Sequence, residues 1–175
     1  MYIKNGTLVL RHAELSDAEQ LCVWWNDGRV MAHAGFPKGL GTTAEAIRER
    51  LLTDGDETGR RLIIEEDGNA IGEMSYRIIE PGTAEIGIKI CDFSRQEKGI
   101  GKRVLTMLLV YLFEGLHCSR VVLDTNVNNL RAQHVYEQLG FRKTGVRENS
   151  WRDQLGVWQS AVDYELLPEQ LNRFT

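Results

Sequence analysis

The chain has 175 residues, is 42% hydrophobic and 26% charged, and carries a net charge of −4, which gives it the length and balance of a globular protein with a sizeable core. The acidic balance counts against a nucleic-acid partner, which calls for a basic field, and the longest apolar run is too short to span a membrane. Three scattered cysteines, Cys22, Cys91 and Cys118, suggest no disulfide framework and fit a reducing, cytoplasmic setting.

No secretory leader is legible, and the four histidines show no metal-ligand spacing, so no metal is expected. The net charge mildly favours a cationic substrate but does not locate a patch. Thr7 to Arg11 reads as a first strand after the Asn5-Gly6 turn signal. Ser16-Asp17-Ala18-Glu19 reads as a capping box that opens a helix reaching about Asn26. His33 to Thr43, punctuated by Gly35, Pro37, Gly39 and Gly41, reads as a loop. A second helix starts at Thr42-Thr43-Ala44-Glu45, with Ile47, Leu51 and Leu52 on one face. Arg60 to Glu66 and Ala70 to Ile79 form a hairpin about Asp67-Gly68-Asn69. Pro81-Gly82 turns the chain into a further strand, Ala84 to Ile90.

Val104 to Phe113 is long and apolar enough for a largely buried helix. Arg120 to Thr125 follows as a strand reached by a crossover, hence parallel to the one before. Asn129 to Leu139 reads as a short helix with Gly140 just past its end. Phe141 to Val146 and Val157 to Leu166 close the chain as strands, with Glu148 to Gly156 as the loop between them. One domain, 1–175, accounts for the whole.

The most informative stretch is Gln96-Glu97-Lys98-Gly99-Ile100-Gly101-Lys102-Arg103, at a strand-to-helix junction. Glycine permits tight dihedrals and close ligand approach. The first helical amides have no intrahelical acceptor, and the helix dipole favours an anion there. A phosphate fits this place. Two common phosphate motifs fail on spacing. A dinucleotide fingerprint needs glycine where Val104 stands, and a Walker A loop needs glycine at Gln96 and Ser or Thr at Arg103. The remaining pattern, Gln/Arg-x-x-Gly-x-Gly/Ala, resembles the acetyl-CoA loop of the GNAT superfamily of N-acetyltransferases. Downstream, Asn129-Leu130-Arg131-Ala132 through Tyr136 to Gly140-Phe141 resembles that superfamily's Asn-x-x-Ala-x-x-x-Tyr-x-x-x-Gly-Phe signature, in the expected order and separation. Trp24-Trp25-Asn26-Asp27 and the stretch from Trp151 to Tyr164 look like the branch that contains ribosomal-protein N-terminal acetyltransferases.

The resemblance implies a mixed α/β GNAT fold. Its central sheet would hold about six to seven mostly antiparallel strands, splayed between the fourth and fifth, with helices on both faces. It implies acetyl-CoA as co-substrate. Ile88, Lys89 and Ile90 would pair with the pantetheine arm, and the amides of Gln96, Glu97, Lys98, Gly99, Ile100, Gly101 and Lys102 would hold the pyrophosphate. Asn129 would touch the arm, or else cap its own helix. Tyr136 would be the general acid beside the departing thiolate, with an aromatic core position as its bland alternative. Glu85 would be the base for the amine, with Glu73 as its rival. Trp25, Phe36, Trp151 and Trp158 would wall an acceptor site between the Asn26 to Gly41 loop and the closing hairpin. The expected acceptor is a protein or peptide N-terminal amine. The rivals are a polyamine, an aminoglycoside or an amino acid, or a non-catalytic acyl-CoA-binding domain. A homodimer through the last strand, Val162 to Leu166, is a further expectation.

Overall fold

A computed structural model describes residues 1–175. Eight strands form one sheet: β1 (Tyr2–Asn5), β2 (Leu8–His12), β3 (Gly59–Glu66), β4 (Asn69–Glu80), β5 (Thr83–Ile90), β6 (Arg120–Asn126), β7 (Arg142–Arg152) and β8 (Trp158–Leu166). Their order is β1-β2-β3-β4-β5-β6-β8-β7, and only β5 and β6 run parallel. Between β2 and β3 lie α1 (Ala18–Trp25), the short α2 (Gly28–Met31) and α3 (Ala44–Leu51). The helix α4 (Ile100–Val110) crosses from β5 to β6, and α5 (Leu130–Leu139) leads from β6 to β7.

Alternation along β3 divides the core. Ile63 faces a smaller cluster with Leu21, Trp25 and Ile47 of α1 and α3, while Leu62 and Ile64 face the main cluster with Leu105 and Leu108 of α4. So α1 and α3 cover one face of the sheet and α4 the other. The sequence of α4 is apolar nearly all round because Val104 through Leu109 are all buried. Its last turn widens into a π-turn over Tyr111–Gly115.

The antiparallel meander, the parallel crossover and both helices flanking β6 stand where the sequence placed them. Three expectations are corrected. The sheet has eight strands rather than six or seven, because Tyr2–Asn5 pairs with β2 across the Asn5-Gly6 turn. The first helix is not entered by a Ser16/Glu19 box; Asp17 Oδ2 accepts the Glu14 amide at 2.7 Å, over a preceding 3-10 turn. The segment from Glu148 is strand up to Arg152, since β7 pairs with β8 through register shifts between Lys143/Gly145 and Arg147/Trp151. Nearly every β7 residue is exposed, so the alternation that marks a half-buried strand is absent from its sequence. The last strand is interior, between β6 and β7. Its backbone edges are therefore both occupied, and the free edge on that side belongs to β7.

The feature that positions the site is a parting of the sheet. β5 and β6 pair only at Thr83↔Arg120, Ala84↔Val121 and Glu85↔Val122. Beyond Glu85, β5 keeps its pairing with β4 through Ile90 but has none with β6.

Candidate active site

A cleft of about 1000 Å³ opens where β5 and β6 part. One wall is Ile86 to Ile90 of β5; the other is Asp124 to Asn126 of β6 with Asn129, Ala132 and Tyr136 of the α5 segment. Its outer end is the glycine loop. Gln96 is not one of the free donors there: its amide donates to the Phe93 carbonyl at 3.3 Å, and its side chain donates to the Ile90 carbonyl at 2.9 Å. It ties the loop to the end of β5. From Glu97 to Lys102, by contrast, no backbone amide has an acceptor in the protein. Glu97 and Gly99 both have left-handed backbone, φ 62° and 75°, and Gly99 precedes the first turn of α4. Gly101 has no such dihedral. An added Cβ at Gly99 or Gly101 would meet no atom within 4 Å, so these glycines leave open space above a row of amides. Lys98 faces solvent and Ile100 is buried among core residues, so those two contribute backbone only. The cradle fits the pyrophosphate of coenzyme A.

The inner end is Tyr136, only 6% exposed. Its ring stacks edge-on against Phe141 and Tyr164, each 5.8 Å away between centroids. No protein group hydrogen-bonds its hydroxyl, which is left for the cleft that the residue lines. Burial, then the nearby Asp124 charge, push its pKa above the ordinary tyrosine value. Asn129 caps α5, accepting the Ala132 amide at 3.3 Å, and still lines the cleft. Asn126 does a separate job, accepting the Asn128 amide and donating to Gln159, both at 2.9 Å.

A second cavity, about 630 Å³, lies beside the start of β5, under the end of α3. Ile86, Gly87 and Asp124 line both cavities, so the two meet there. Glu85 lines the second cavity and not the cleft, and its carboxylate holds Arg77 at 2.8 Å. Glu73 is different. It is 1% exposed, with one oxygen bonded to Arg61 and the other receiving Lys89 at 3.3 Å and the Trp25 indole at 3.4 Å. Burial alone would raise its carboxyl, but the Arg61 and Lys89 charges and bonds outweigh that and hold it below the ordinary range. Both oxygens are taken, so this carboxylate is closed to a substrate.

Of the four aromatic residues expected around the acceptor, Trp151 lines the cleft with His33 and Ala34, and Trp25 lines the second cavity. Phe36 packs on the smaller core cluster, and Trp158 lies half exposed with Arg152 stacked 4.4 Å from its centroid. Sequence reasoning missed Asp124. It stands at the seam of the two cavities, paired with Arg147 at 2.8 Å; its place on β6 five residues before Asn129 was the available signal.

Fold and site define a transferase that takes its acyl group from coenzyme A. Residues 7–142 match the acetyltransferase (GNAT) domain, and the chain belongs to that family, as an acetyl-CoA-dependent N-acetyltransferase. It is 25% identical to the aminoglycoside N(6′)-acetyltransferase type 1 of Klebsiella pneumoniae, over 81% of this chain and 77% of that one. The spermidine N-acetyltransferase of Vibrio cholerae, solved with CoA and spermine, superposes with a TM-score of 0.82 at 25% identity, over 95% of this chain and 98% of that one. The ribosomal-protein-S5-alanine acetyltransferase of Vibrio fischeri superposes with a TM-score of 0.84, over 98% and 99%; at 20% identity this shows a shared fold.

Proposed function

We propose that the chain moves the acetyl group of acetyl-CoA directly onto a primary amine, with a peptide or protein N-terminal amine as the acceptor. The observation that carries this reading is the meeting of two cavities at Gly87 and Asp124. One is long and ends in a phosphate cradle; the other is open to a second substrate. No side chain is needed to carry the acetyl group between them.

In this reading the backbone of Ile88 to Ile90, unpaired on its β6 side, holds the pantetheine arm, and Asn129 flanks it. The amine nitrogen attacks the thioester carbonyl, the C–N bond forms, and the C–S bond breaks to release the thiolate. Glu85, in the second cavity, takes the amine's proton. A thiol titrates near about 8.5 and an ordinary tyrosine near about 10, and burial moves Tyr136 further up. Complete proton transfer from Tyr136 to the thiolate is therefore uphill. Its hydroxyl acts by hydrogen-bonding the charge that develops on sulfur.

The test is coenzyme A release from acetyl-CoA against peptides with free N-termini, spermidine, an aminoglycoside and single amino acids, with wild type, E85Q and D124N. Turnover with peptides, lost in E85Q and kept in D124N, supports the reading. Loss only in D124N moves the base to the seam, and turnover only with spermidine or the aminoglycoside overturns the acceptor.

A further inference from the structure

The second cavity is walled by arginines. Arg50, Arg60, Arg61 and Arg77 line it, against Asp54, Glu85 and Asp124. Most of these charges are already matched: Arg60 with Asp56, Arg61 with Glu73, Arg77 with Glu85, and Arg147 with Asp124. Asp54 accepts the Arg61 amide at 2.8 Å. Asp54 has no cationic side chain paired with it, and among the arginines Arg50 is the exception. It has no carboxylate within ion-pair distance, and its guanidinium lies 5.9 Å from the centroid of Trp25. It stands in the last turn of α3, and that helix end lines the cavity along with Gly87 and Asp124. A guanidinium stacked on an aromatic ring keeps its planar fork of donors available for a carboxylate.

Resting on the amine-acceptor reading above, we infer that this cavity takes an acceptor bearing a carboxylate as well as its amine, and that Arg50 binds that carboxylate. The amine reaches the seam, where the acetyl group arrives, while the carboxylate remains at the α3 end. A free amino acid and a peptide with an acidic residue near its N-terminus share this chemistry. A polycation does not: it brings no carboxylate for Arg50, and its further positive charges would repel that guanidinium at the α3 end.

The experiment uses the full chain and has four acceptor arms: a peptide with glutamate near its N-terminus, the same peptide with glutamine there, free glutamate, and spermidine. Coenzyme A release gives KM and kcat for each, and calorimetry gives acetyl-CoA affinity separately. The expected result is a lower KM for the acidic peptide or glutamate than for the glutamine peptide. In R50Q the acidic acceptor's KM rises about 10- to 100-fold, the size expected for one hydrogen-bonded charge pair, and the preference over the glutamine peptide collapses. R50K recovers part of it, because it keeps charge without the fork. Which acidic arm turns over tells a free amino acid from a peptide. Spermidine used as efficiently as the acidic arms, or an unchanged acidic KM in R50Q, overturns the inference alone. Acetyl-CoA binding without turnover of any arm overturns the amine-acceptor reading and this inference with it.

Discussion

Replacing Gly101 by Ala separates the two jobs that a glycine in a phosphate loop can do. Gly101 lies in the first turn of α4 without a left-handed dihedral, so its backbone does not require glycine. An added Cβ meets nothing within 4 Å. Alanine in a helix is worth up to about 1 kcal/mol over glycine, and for a chain of this size each kcal/mol moves Tm by about 2–4 °C. Stability is therefore expected to rise slightly. The same Cβ projects over the amides that should hold the pyrophosphate. Losing one hydrogen bond to a charged group costs about 1.5–3 kcal/mol, so the Kd for acetyl-CoA should rise about 10- to 100-fold. Gly99→Ala is the contrast: at φ 75° it carries a left-handed strain of about 1–2 kcal/mol, so Tm falls. Thermal unfolding and calorimetry read the two effects independently. A Gly101→Ala protein with raised Tm and unchanged Kd would refute the cradle, and a fall in its Tm would refute the backbone argument.

Three other outcomes follow from particular contacts. Gly140→Ala should cost at least about 2 kcal/mol, and so lower Tm by about 4–8 °C at about 2–4 °C per kcal/mol, with acetyl-CoA affinity unchanged, because φ is 104° and the new Cβ would sit 2.0 Å from the Gln170 carbonyl oxygen. Tyr136→Phe should lower kcat about 10- to 100-fold, the size of one hydrogen bond to a developing charge, with Tm nearly unchanged; a loss above about 10³-fold, measured as coenzyme A release, would mean full proton donation instead. Glu73→Gln leaves Arg61 and Lys89 without their buried partner, a loss of about 3–5 kcal/mol by analogy with broken buried pairs. In the wild type its carboxyl is held below the ordinary range. Its share of stability is therefore full above about pH 4.5 and lost as pH falls through the lower, folded value; an acid-unfolding profile that is the same for wild type and variant would sink this assignment.

The frame was legible where local chemistry dictates it. The Asp67-Gly68 turn places a hairpin, Gly140 ends α5, and the apolar run from Val104 demands a buried helix. β7 was half hidden, because an edge strand exposed on both faces shows no alternation for a reader to find. The cradle was readable as a motif, but the separate reasons for its two glycines were not: Gly99 serves a dihedral and Gly101 serves space. Gln96 looked like one more amide donor, and only the fold shows its side chain tied to Ile90. Glu73 and Glu85 looked alike on neighbouring strands. They share a face of the sheet, but Trp25, Arg61 and Lys89 close over Glu73, while Glu85, beside the exposed Arg77, is left as a wall of a cavity. Asp124 was marked in the sequence only by its place five residues before Asn129; that it stands at the seam comes from where β6 runs beside β5.

That proximity ties the architecture to the chemistry. Parallel strands joined by a crossover would ordinarily pair along their length. Here pairing stops after Glu85, while β4 holds β5 in place through Ile90. Glu73 reinforces that hold: it sits opposite Lys89 in the register and takes the lysine's ammonium at 3.3 Å. Lys89 lines the cleft, but its ammonium is held by Glu73 on β4, a side-chain tie added to the backbone pairing of β5 with β4. Unpaired backbone groups are costly when dry, so the exposed edge of β5 stays open to water until an amide-bearing chain pairs with it. A buried ion pair adds little to stability for its own sake. Its place here is consistent with keeping a strand edge unpaired, and the prediction for Glu73→Gln then gains a second arm: acetyl-CoA affinity should fall along with Tm, as β5 loses the anchor that keeps the cleft open.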